Sequence, residues 1–304
     1  MKTSHFLWVS FFCISLVSCV SLKPDSFRSF ETSVVLAQKG LETEMSRDVG
    51  WTREADVDAL ARLKDAPLSD HMLKETKGYT WTTKVTVPHW DARLTLRALE
   101  AMNTAFLNYT KLLVQVTVHD PGVEKETQAL AEVLNQNLRD FGGLIDSGKT
   151  QNNLYPAGVS ALTSEGLLKL GTHSRAKEIG AAVRESQSWV DEYAAHCLRL
   201  IDLIRTDLKT AYGDRMSAIH DRWDDKRTPG RNTLARSIYN LNAEYADAME
   251  ALKALSLFYN GLPAAHQDLA DGLGRKAKPQ QALAQLATFA ERVARLTKEL
   301  EKAR

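Results

Sequence analysis

The feature that most restricts the fold is an apolar stripe running the length of residues 179–223. Ile179, Val183, Val190, Ala194, Cys197, Ile201, Ile204, Leu208, Ala211, Tyr212, Met216, Ile219 and Trp223 recur mainly at three- and four-residue intervals. That interval is the period of one helix face. An unbroken helix from Lys177 to Asp225 would be about 70 Å long, more than a compact core can cover. The spacing therefore predicts an elongated, coiled-coil-like antiparallel bundle, with Gly213 as the position where the rod would kink.

The rest of the chain repeats the pattern. Phe27, Phe30, Val34, Ala37, Leu41, Met45 and Val49 form one face, weakened at Gly40 and Gly50, and Val57, Leu60, Ala61 and Leu63 continue it until Pro67. Pro88 suits the first turn of a helix. After it, Leu94, Ala98, Met102, Ala105, Tyr109, Leu112 and Val116 form one stripe, with Leu99, Phe106 and Leu113 beside it. A face this broad predicts a helix buried between several neighbours. A helix over about 123–141 and a shorter one near 157–171 flank the polar loop 146–156, the best internal boundary.

Beyond Thr228-Pro229-Gly230, a stripe from Leu234 to Tyr259 predicts a helix stopped at Asn260-Gly261-Leu262-Pro263. A short helix to Leu273 and a basic linker, 274–279, follow. Leu286, Phe289, Val293, Leu296 and Leu300 then carry a coiled-coil seam, with Glu291 and Arg295 as a flanking pair. The 76–90 segment lacks helical spacing. Tyr79 to Val87 has some period-two character, but with no partner in view it is expected to be a loop packed by its aromatics. Similar Ala-Leu blocks at 98–102 and 251–255 are ascribed to common helix composition rather than duplication.

Phe6 to Val17 is an apolar run of twelve residues after Lys2, too short to span a bilayer as a permanent helix. It ends in Leu16-Val17-Ser18-Cys19. These four residues resemble the lipobox of bacterial lipoproteins. The resemblance implies cleavage before Cys19 and acylation of its thiol by chains such as palmitate. Val20, in place of the aspartate of inner-membrane retention, implies an outer-membrane address in a two-membrane cell, facing the periplasm or the surface. The expected organisation is a signal peptide over 1–18, a lipidated tether over 19–26, and an all-α bundle over 27–304.

Removing residues 1–18 from the 304 leaves 286, enough for one long domain or two small ones. The chain has 39 Lys+Arg and 38 Asp+Glu, and only Lys2 of these lies in 1–18, so the mature charge is zero. Such balance argues against a nucleic-acid binder. Cys13 is lost with the signal and Cys19 is committed to lipid, which leaves Cys197 without a disulfide partner.

Motifs that carry chemistry are scarce. His71, His89, His119, His173, His196, His220 and His266 show no metal-ligand spacing, and Glu192 and His196, four apart, have no twin of the kind a di-iron bundle needs. Ser174-Arg175-Ala176-Lys177 is similar to the Ser-x-x-Lys box of penicillin-recognising enzymes, but the other two boxes of that family are missing and helix capping explains Ser174. Cys197 falls on the inward stripe and reads as core filler. Trp51, Trp189 and Trp223 fit gaps between helices, whereas Trp81 and Trp90 have no helical reason to be aromatic and are the candidate ligand-binding residues. No metal or cofactor is expected. The sequence favours a non-enzymatic envelope lipoprotein that presents helical surfaces to a protein partner. The alternative is a periplasmic carrier holding an apolar or aromatic molecule between helices.

Overall fold

The computed structural model describes residues 24–61, 72–75, 78–81, 88–118, 172–224, 230–274, 287–288 and 290–295. It is an all-α bundle. Helix α1 spans Pro24–Ala61, α2 Pro88–Val118, α3 Thr172–Glu185, α4 Gln187–Asp224 and α5 Arg231–Gly274, and a helical segment over 290–295 packs near the C-terminus. The expected helices at 123–141 and 157–171, the boundary at 146–156 and the signal region lie outside the described residues.

α1 packs against α2, α4 and α5, while α4 lies along α5 and α3 rests chiefly on α5. The directions follow from side-chain pairs. Gln38 reaches Tyr193, and Trp51 reaches Arg215, so α1 and α4 run the same way. Phe30 meets His266 and Trp51 meets Tyr245, so α5 runs opposite to α1. At 1.5 Å per residue, α4 is about 57 Å long and α5 about 66 Å, which gives the elongated shape its physical basis.

The stripe on α1 is buried as its spacing requires: Phe27, Phe30, Val34, Ala37 and Leu41 are each within 2 % of complete burial. On α2, Leu99, Met102, Phe106, Tyr109 and Leu113 are inaccessible, in keeping with a helix enclosed on several sides.

Five expectations are corrected. The first helix starts at Pro24, not Phe27, because proline's fixed φ suits the opening turn. Val57, expected inside, is 52 % exposed, although the helix itself continues through Gly40 and Gly50 as its spacing implies. Within the expected loop, residues 79–81 belong to a paired strand instead: β1 (Met72–Glu75) and β2 (Gly78–Trp81) run antiparallel, with Glu75 opposite Gly78, and residues 82–87 lie outside the described residues.

The long rod is interrupted at Ser186 rather than at Gly213, which sits inside α4. The Ser186 hydroxyl donates to the Ala182 carbonyl at 3.0 Å, a back-bond of the kind that bends helices. Finally, α5 continues through Asn260–Pro263. Proline costs a helix interior about 3 kcal/mol. Burial of Leu262, Ala265, His266, Leu269 and Ala270 beyond it holds the chain helical, each buried leucine contributing about 1.5–3 kcal/mol.

Candidate functional site

Cys19 lies outside the described residues. Trp81 is the last residue of β2 and Trp90 the third of α2, and their side chains are not among those described. Of the other tryptophans, Trp189 is fully buried, Trp51 nearly so beneath the Arg215 guanidinium at 5.2 Å, and Trp223 is 36 % exposed instead of inward.

The bundle's centre, where α1, α2, α4 and α5 meet, is aromatic and polar. Phe106 stacks on Tyr193 at 4.3 Å and on Trp189 at 5.0 Å, and Tyr109 meets Trp189 edge-on at 5.5 Å. These rings fill the space between helices, with offset and edge geometries that favour aromatic pairs.

Two hydrogen-bond chains thread this core. In the first, His266 Nδ1 lies 2.8 Å from Gln187 Oε1 and His266 Nε2 lies 2.6 Å from the Tyr109 hydroxyl. An amide oxygen only accepts, so Nδ1 carries the proton and the tyrosine donates to Nε2. Gln187 Nε2 in turn donates to Asp191 Oδ1 at 2.6 Å on the exposed face. Burial pushes the His266 pKa down to about 3, so the imidazole stays neutral at ordinary pH.

In the second chain, Tyr193 donates to Asn103 Oδ1 at 2.7 Å and accepts from Gln38 Nε2 at 3.1 Å, while Asn103 Nδ2 donates to Glu42 Oε1 at 2.7 Å. Cys197 is inaccessible beside Tyr193 and Tyr259, and burial pushes its thiol well up. A thiol held protonated is a small apolar group rather than a nucleophile. His196, on the same helix, is also buried; it lies 3.3 Å from Glu192 and 2.6 Å from Arg199. The Glu192–His196 contact expected on the helix flank is made there, between the buried His196 and the partly exposed Glu192.

One cluster was not foreseen. The three-four rhythm of Phe27, Phe30, Val34, Ala37 and Leu41 continues on the buried side through Glu44, Asp48, Trp51 and Ala55. The two acids sit one position before the apolar Met45 and Val49, which a pattern of apolar residues alone selects. Glu44 lies 3.0 Å from Arg47, both buried. Asp48 is 3 % exposed, and its Oδ1 accepts no hydrogen bond. Burial, and next the nearby Asp207 of α4, raise the Asp48 pKa to about 8. Burial also raises that of Asp207.

Among the described residues no group of three His, Cys, Asp or Glu side chains could hold a metal ion, and no helix is long and apolar enough to cross a membrane. The interior thus holds two hydrogen-bonded chains among packed rings, in which the buried Trp189 Nε1 makes no hydrogen bond, and a carboxylate pair, Asp48 and Asp207, between α1 and α4. Neither a protein-family model, nor a curated protein, nor a solved structure matches this chain.

Proposed function

We propose that this protein is a lipid-anchored component of the cell envelope, a non-enzymatic helical scaffold that engages a protein partner. One observation carries the reading. The lipobox-like Leu16-Val17-Ser18-Cys19 is followed by helix α1 from Pro24, so only Val20 to Lys23 separate the anchor residue from a rigid rod. Four residues reach at most about 14 Å, which keeps one end of the bundle against the lipid surface. Two acyl chains supply stable attachment at about 0.8 kcal/mol per buried methylene. An outer-membrane address, facing the periplasm or the outside, fits Val20. The packed rings of Phe106, Tyr109, Trp189 and Tyr193 favour a scaffold over a carrier with a ligand between these helices.

Fractionation of cells producing the wild type and Cys19→Ala tests the proposal. The wild type is expected in the membrane and the detergent phase, and the variant in neither. Equal partitioning of the two overturns it.

A further inference from the structure

We propose that the end of α1 beyond Gly50 is a proton-gated flap, seated on α4 and α5 while the Asp48 carboxyl carries a proton and released when that proton leaves.

Three features meet at this point of the fold. The first is an unpartnered acid. Asp48 is 3 % exposed and its Oδ1 accepts no hydrogen bond, so ionising it in place leaves a buried charge without a donor. The second is a glycine that packing does not call for. Gly50 is exposed, and a β-carbon there would meet nothing within 4 Å. Glycine weakens a helix interior, and small residues of this kind serve as hinges. The third is a thin seat. Among the described residues beyond Gly50 only Trp51 and Ala55 are buried, while Arg53, Glu54 and Val57 are exposed. A segment with few buried apolar contacts opens before the fold as a whole does. A detached helix of fewer than about 12 residues is marginal in water, so residues 51–61 would unravel once off their seat.

Trp51 ties the acid to the flap. It stands three residues after Asp48, hence beside it on one face of the helix. Its indole stacks on Tyr245 of α5 at 6.5 Å and lies beneath the Arg215 guanidinium of α4. Lifting the indole opens Asp48 to water, which solvates the carboxylate.

The surroundings of Asp48 oppose ionisation while the flap is seated. Burial opposes it most, and Asp207 of α4, exposed at the edge of the seam, adds like charge. The neighbouring cations are engaged elsewhere: Arg47 pairs with Glu44 at 3.0 Å, and Arg215 sits over Trp51. Glu244 and Asp247 of α5, and Arg97 and Glu100 of α2, are exposed to solvent. The seated state therefore holds a proton that the released state gives up, and its advantage is lost as pH rises from about 4 to about 8.

Hydrogen exchange read by mass spectrometry on the full chain in detergent tests the proposal, each rate being divided by the intrinsic rate at that pH. Amides 51–57 are compared with amides 99–113 of α2. At about pH 7.5 the flap amides should be protected at least about a hundredfold less than those of α2. Their protection should fall about tenfold per pH unit from about pH 5.5 to 7.5, and Asp48→Asn should remove that fall. Gly50→Ala, at an open position, should raise flap protection about threefold and keep the fall; it carries the test if Asp48→Asn does not fold. Equal protection of the two segments, a fall unchanged in Asp48→Asn, or no response to Gly50→Ala overturns the inference.

Discussion

Gly40 of α1 faces Val293 of the C-terminal helical segment so closely that a β-carbon on the glycine would overlap the valine's Cγ1. Gly50 and Gly213, also inside helices, would meet nothing within 4 Å. Alanine at an open helix position stabilises by about 0.5–1 kcal/mol. Gly50→Ala and Gly213→Ala should each raise the denaturant midpoint accordingly. Gly40→Ala should destabilise the fold by about 1–3 kcal/mol, because the β-branched Val293 has little rotamer freedom with which to yield.

Asp48 and His266 set opposite slopes with pH. A carboxyl raised from 3.8 to about 8 makes the folded state hold a proton that the unfolded chain releases, so its contribution is lost as pH rises from about 4 to 8. An imidazole lowered from 6.5 to about 3 does the reverse, its contribution being lost as pH falls through that range. Over about pH 4–6.5 the two offset each other, and from 6.5 to 8 only the Asp48 loss remains. Thermal unfolding should therefore show a plateau that falls above pH 6.5. Asp48→Asn should abolish that fall, and Asp207→Asn should move it to lower pH.

Tyr109→Phe removes the donor to His266 Nε2 and leaves a buried acceptor bare. The expected cost is about 1–3 kcal/mol, measured by urea unfolding. A double-mutant cycle with Gln187→Leu should show the two changes to be non-additive, since both act on one imidazole.

Pro263 lies inside α5. Pro263→Ala restores a backbone donor and should stabilise the protein by about 1–3 kcal/mol, less the entropy regained by the unfolded chain. Amide exchange should slow on both sides of position 263. Destabilisation would mean that the ring's packing outweighs the missing hydrogen bond.

The fold was legible wherever burial follows a simple rhythm. Phe27 to Leu41, the α2 faces around Phe106, and the α4 stripe through Cys197 all point inward as their spacing requires. Misreadings came where tertiary packing overrode a local signal. Pro263 reads as a stop, but the buried Leu262 and Leu269 carry the helix across it. Ser186 gives little warning of a break, because its effect depends on a hydroxyl turning back to Ala182.

The polar interior was harder to read. Tyr109, His266 and Gln187 are 157 and 79 residues apart in their bonded pairs, and no local pattern links them. Asp48 and Glu44 are acidic residues at positions that continue the buried seam, so an apolar pattern passes over them. Trp223 and Val57 show the converse: apolar residues at helical spacing that stay exposed.

The most direct test of the account is mass spectrometry of the mature N-terminus of protein taken from membranes. The account predicts a chain beginning at Cys19 with diacylglycerol on its thiol. An N-terminal peptide retaining residues before Cys19, or one starting at Cys19 without lipid, would contradict it.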